Sequence, residues 1–176
     1  MKKLLLFLLM FSVSWSFAQI NWMSMNQALE AQKKEPKKIV IDFYTDWCGP
    51  CKMMEKRTYS HPEIVKYINS NYYAVKFNAE GTENVNYFER IFTNPNFKPK
   101  SKGRNALHEF AQFMNISGYP SVVFLDETGR PITSMMGFFS AKDLEPYLHM
   151  FASGEYKNIK TRDEWEKYQF KSKIED

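Results

Sequence analysis

Short apolar runs alternate with polar, turn-forming stretches along this chain, and the period of each run predicts its element. Met25, Ala28 and Leu29 fall at helical spacing between Ser24 and Lys34, ahead of Pro36, which predicts a short helix. Lys38-Ile39-Val40-Ile41-Asp42-Phe43-Tyr44 is nearly apolar throughout and rich in β-branched and aromatic residues, as in a central strand covered on both faces. Residues 52–56 are good helix formers that continue a helix begun at positions 48–51. Ser60-His61-Pro62-Glu63 has a capping-box pattern ahead of Ile64, Val65, Tyr67 and Ile68, and Tyr73, Val75 and Phe77 alternate within a strand over Tyr72–Asn78. Ala106 to Met114 reads as a helix leading into Gly118. Strands Ser121–Leu125 and Ile132–Met136 then form an antiparallel hairpin across the turn Asp126–Gly129. A further helix ends near Phe151. Pro146 fits only its first turn, which favours Asp143 over Ser140 as its cap. Thr161-Arg162-Asp163-Glu164 opens an additional helix through Phe170, with Trp165 and Tyr168 as anchors.

This order predicts an α/β domain, a central mixed sheet with helices on both faces. Residues 80–105, carrying Asn94-Pro95-Asn96, Pro99 and the basic set Lys98, Lys100, Lys102 and Arg104, read as a solvated surface insertion. Residues 155–176 read as a C-terminal extension. Ahead of the domain, Met1-Lys2-Lys3 and the apolar run Leu4 to Val13 have the layout of a secretory signal peptide. Ser16 and Ala18 suit cleavage after Ala18, so residues 1–18 are expected to leave and 19–176 to form one domain, periplasmic or secreted.

The net charge of +4 includes two lysines of the leader, and what is left argues for neither nucleic acid nor an anionic membrane. The two cysteines change the picture more. In an exported protein a lone pair usually makes a structural disulfide, but Cys48 and Cys51 close so short a loop that a bridge restricts the unfolded chain little. A reactive pair is the better reading, with a structural bridge as the alternative. Zinc would need further ligands, and His61, His108 and His149 lack ligand spacing. Covalent haem would need His where Lys52 stands, so no metal or cofactor is expected. At the junction of a buried strand and a helix, free backbone N–H groups stabilise a Cys48 thiolate. Pro50 is tolerated in the first helical turn, Gly49 lets a partner chain come close, and Cys51 lies one turn inward, placed to resolve a mixed disulfide.

Ile41-Asp42-Phe43-Tyr44-Thr45-Asp46-Trp47-Cys48-Gly49-Pro50-Cys51-Lys52 resembles the active-site segment of the thioredoxin superfamily, and Gly118-Tyr119-Pro120-Ser121 resembles its second motif. The resemblance runs from about Ile20 to Phe151 and is similar to exported bacterial members. It implies a thioredoxin fold, a cis Pro120 facing the cysteine pair, and Trp47 packed beside the sulfurs. It implies that Asp42 is the buried acid that helps Cys51 lose its proton, with Lys76 near that acid. Trp47, Gly49, Pro50, Tyr119 and Pro120 would meet the substrate, although Tyr119 departs from the small aliphatic residue common at its position.

The function so implied is reduction or isomerisation of disulfides in exported proteins, sustained by a membrane-bound electron donor, in a monomer with no nucleic-acid partner. Two alternatives stand beside it. The protein could be a disulfide donor, or a binding or assembly module with incidental cysteines.

Overall fold

In the computed structural model, which describes residues 19–99, 103–169 and 174, strand alternation sorts side chains onto two helix-covered faces. The chain runs β1 (Trp22–Met23), α1 (Met25–Lys34), β2 (Lys38–Tyr44), α2 (Gly49–Arg57), α3 (Pro62–Asn71) and β3 (Tyr72–Asn78). It continues with β4 (Val85–Tyr87), β5 (Arg90–Phe92), α4 (Glu109–Phe113), β6 (Ser121–Leu125), β7 (Pro131–Met136), α5 (Ala141–Ser153) and α6 (Arg162–Gln169). The main sheet has the order β1-β3-β2-β6-β7. β1, β3 and β2 are parallel, whereas β6 runs antiparallel to β2 and β7 antiparallel to β6. Ile39, Ile41 and Phe43 of β2 join Val75, Phe77, Val123 and Leu125 under α1 and α4. Val40, Ala74, Val122 and Phe124 face the opposite way, against Met54 of α2, Ile64 and Ile68 of α3, and Leu144 and Leu148 of α5. This is the mixed sheet flanked by helices that the sequence predicts. Among the described residues no helix is long and apolar enough to cross a membrane.

Several local expectations are corrected. The stretch 80–105 is not all irregular, because Val85, Tyr87 and Phe92 are buried against Phe110 and hold β4 and β5 as a hairpin. Its turn places Phe88 and Glu89 at positive φ (46° and 62°). The helix expected over 106–114 is shorter, because His108 caps it, its ring Nδ1 accepting the Phe110 N–H at 3.0 Å. No capping box forms at α3. His61 occupies the cap without a side-chain bond, and the Ser60 hydroxyl donates back to the Lys56 carbonyl.

At α5 the cap is Ser140, with Asp143 as its box partner, so Pro146 lies in the second turn and not the first. Two reciprocal hydrogen bonds at the helix start outweigh the one intrahelical bond that a proline removes. Ser140→Ala is therefore expected to lower stability by about 1 kcal/mol, read as a lower urea midpoint at unchanged slope. The C-terminal helix docks by aromatic stacking, with Trp165 on Tyr147 (4.4 Å between centroids) and Tyr168 beside it (6.0 Å). The leader (1–18), Lys100, Lys102 and Phe170 lie outside the described residues.

Candidate active site

β2 delivers the chain into α2, and the cysteine pair sits at that junction. Cys48 is the N-cap of α2, where its Sγ accepts the Cys51 N–H at 3.1 Å, and the two sulfurs are bonded to each other. The start of a helix leaves N–H groups without intrahelical partners, so the sulfur of Cys48 lies in a field that favours negative charge. Pro50, in the first turn, has no N–H to leave unpaired. A side chain at Gly49 would meet nothing within 4 Å, so the surface next to the pair stays low and open there. Both cysteines are buried, at 2% and 6% exposure, whereas Trp47 is 38% exposed.

Beside the pair's own helix, Asp42 is 3% exposed in the middle of β2, and its Oδ1 has no hydrogen-bond partner. Burial drives its pKa up from 3.8 to about 7, although the Lys76 charge and the nearby Tyr59 hydroxyl pull it down and Glu55 pushes it up. Tyr59 approaches the carboxyl without closing a bond of good geometry. Asp42 and Lys76 are register partners on parallel strands and so share a face of the sheet. The lysine turns outward to an ion pair with Glu55 (2.8 Å) and lies 5.2 Å from the Tyr44 ring centroid. The result is a carboxyl poised to exchange a proton near neutrality.

On the other side of the motif, the Tyr119–Pro120 peptide is cis. Gly118 just before it lies close to Met136 of β7: an added Cβ would fall 2.5 Å from the Met136 sulfur, so a larger residue there would push that exposed side chain aside. The Tyr119 ring meets Trp47 edge-on at 5.8 Å, which joins the loop before β6 to the cysteine motif. Burial and the Glu80 charge push the Tyr119 hydroxyl up to about 12, against a lowering pull from Arg104.

A family model described as a thioredoxin-like domain matches residues 25–152. The chain belongs to the thioredoxin-like family. Among curated proteins, this thioredoxin-like chain is similar to the thiol:disulfide interchange protein DsbD of Photorhabdus laumondii, at 26% identity over 138 residues. That match covers 77% of this chain and 20% of the relative. The DsbD of Cronobacter sakazakii is 29% identical over 127 residues, covering 71% and 18%. The chain thus spans about a fifth of the length of these relatives. Among solved structures, a thioredoxin-fold protein from Helicobacter pylori superposes with a TM-score of 0.58 at 18% identity, over 88% of this chain and 87% of that one. That likeness bears on the fold alone.

Of the residues singled out from sequence, the structure gathers Trp47, Cys48, Gly49, Pro50 and Cys51 at the start of α2, and brings Tyr119 to Trp47 by ring contact. Asp42 and Lys76 lie together on the sheet. Four further residues belong to the same neighbourhood: Glu55 on Lys76, Tyr59 near Asp42, and Glu80 and Arg104 on Trp47. A lysine within an otherwise apolar strand signals the need for a counter-ion, and Glu55 on the adjoining helix is the acid that meets it. Nothing in the sequence pointed to Tyr59.

Proposed function

We propose that this chain is a thiol:disulfide oxidoreductase that reduces or isomerises disulfides in exported proteins, through attack by Cys48 and resolution by Cys51. The observation that carries this reading is a bonded cysteine pair capping the N-terminus of α2, with a buried carboxyl on the strand that leads into it, its pKa raised to about 7. The helix field favours the Cys48 thiolate. Asp42 takes up and returns the proton of Cys51, and Lys76 keeps the carboxyl from being protonated outright. Trp47, Gly49, Pro50, Tyr119 and Pro120 make the rim that a target polypeptide meets. Similarity to relatives that are thiol:disulfide interchange proteins supports the same chemistry.

The leader-like residues 1–18, cleaved near Ala18, direct the product to the periplasm or the exterior as a soluble monomer. An oxidising compartment keeps such a pair as a disulfide, so sustained reduction draws electrons from a membrane-bound donor. The reduction potential of the pair, titrated against glutathione or dithiothreitol, tests the direction. We expect a value near the reducing reference of about −270 mV, and a value near about −120 mV would make the protein a disulfide donor instead.

A further inference from the structure

The insertion between β3 and α4 returns to the cysteine motif with both of its ends. At its start, the Glu80 carboxylate accepts the indole N–H of Trp47 (Nε1 to Oε2, 2.9 Å). At its end, Asn105 donates its peptide N–H to that same oxygen at 2.7 Å, and the neighbouring Arg104 lays its guanidinium 4.7 Å from the indole centroid. The limb that delivers Arg104 is itself tied down. The Asn105 side chain bonds the Lys98 main chain in both directions, accepting at 2.8 Å and donating at 2.9 Å. Asn94, 9% exposed, holds the base of the limb through the carbonyls of Gly81 (3.0 Å) and Ala106 (2.8 Å). A loop that only bridged two elements would need none of these contacts with the redox motif. This limb fixes one face of Trp47, while Glu80 fixes its N–H and Tyr119 meets it edge-on.

We propose that Arg104 is a positioning residue for disulfide exchange. With Glu80 it clamps the Trp47 indole at the rim of the Cys48–Cys51 pair, which makes the two ends of the insertion part of the active site. The inference rests on the redox reading above. An incoming polypeptide meets the half-exposed indole before the buried sulfur of Cys48. An indole fixed beforehand offers that polypeptide one surface, whereas a free indole has to be ordered during binding, which raises KM and leaves the exchange step itself alone.

The test labels the whole protein with 5-fluorotryptophan, assigns the Trp47 resonance with Trp47→Phe, and compares wild type with Arg104→Ala and Arg104→Lys. In Arg104→Ala we expect the Trp47 fluorine resonance to shift while those of Trp22 and Trp165 hold. KM for a polypeptide disulfide should rise about fivefold at nearly constant kcat, the factor a cation–π contact of this kind represents. Arg104→Lys should recover most of both effects, because an ammonium group can occupy the same ring face. An unmoved Trp47 resonance with unchanged KM overturns the proposal. So does a lowered urea midpoint with the Trp22, Trp47 and Trp165 resonances moving together, since that marks a merely structural role. Wild-type protein that turns over no disulfide at all overturns the redox reading instead, and the fluorine signal reports the clamp independently of it.

Discussion

Cys48→Ser is expected to abolish disulfide turnover, a loss of about three orders of magnitude or more, whereas Cys51→Ser is expected to arrest the reaction half-way as a covalent adduct. The asymmetry follows from position. Cys48 caps α2, where its Sγ accepts a backbone N–H, while Cys51 lies one turn further in. In the proposed reaction the Cys48 thiolate of the reduced protein attacks one sulfur of a target disulfide, forming a mixed disulfide and releasing the other target sulfur as a thiolate. The Cys51 thiolate then attacks Cys48, closes the intramolecular bridge and frees the second target sulfur. Two electrons pass from the dithiol to the target, and each released thiolate takes up a proton. A serine hydroxyl can make neither bond. Non-reducing electrophoresis with a disulfide-bonded target reads both variants at once. A stable adduct is expected with Cys51→Ser and none with Cys48→Ser, and the reverse pattern would assign the first attack to Cys51.

How much of this was legible beforehand depended on whether one local interaction dominated each element. β2 could be read because six of its seven residues are buried, so nothing competes with its apolar run. The cysteine motif could be read because strand, proline and cysteine spacing agree. β1 could not, since two residues carry no period, and it exists only through parallel pairing with Ala74 and Val75. The β4–β5 hairpin was hidden for a different reason. Its turn uses Phe88 and Glu89 at positive φ, where an Asn-Gly pair would have announced it, and tertiary burial of Tyr87 and Phe92 holds it in place.

Polar residues at the site were harder still, because their roles are set by partners distant in sequence. The basic set around Arg104 looked like solvated charge. Only the return of the chain to Trp47, 57 residues earlier in the sequence, gives that arginine an aromatic face to lie on. Asp42 shows the converse. Its place in a buried strand and its neighbour Lys76 were both expected from the sequence, and the fold adds Tyr59 as a second group that limits the rise of its pKa.

Asp42→Asn is expected to flatten the pH dependence of stability and, in the same variant, to slow the resolving step. An acid whose folded pKa lies above its unfolded value binds its proton more tightly when folded. Its favourable contribution is therefore complete below the unfolded pKa and is lost as pH rises through the folded one. For Asp42 that window runs from 3.8 to about 7, which corresponds to a loss of about 4 kcal/mol. Asparagine does not titrate, so wild type and variant should be closest near pH 4 and should diverge up to pH 8, with the variant the more stable. Urea unfolding of the oxidised protein at pH 4, 6 and 8 measures this, and parallel curves for the two proteins would show that Asp42 does not titrate in that window. The same substitution removes the proposed proton acceptor for Cys51, so the adduct between Cys48 and a target should persist longer, and an inflection of the exchange rate near pH 7 should be absent. A variant that gains stability above neutrality while it loses rate is what a carboxyl kept buried for proton transfer predicts. A carboxyl buried only as part of the packing would change the stability curve and leave the lifetime of the adduct unchanged.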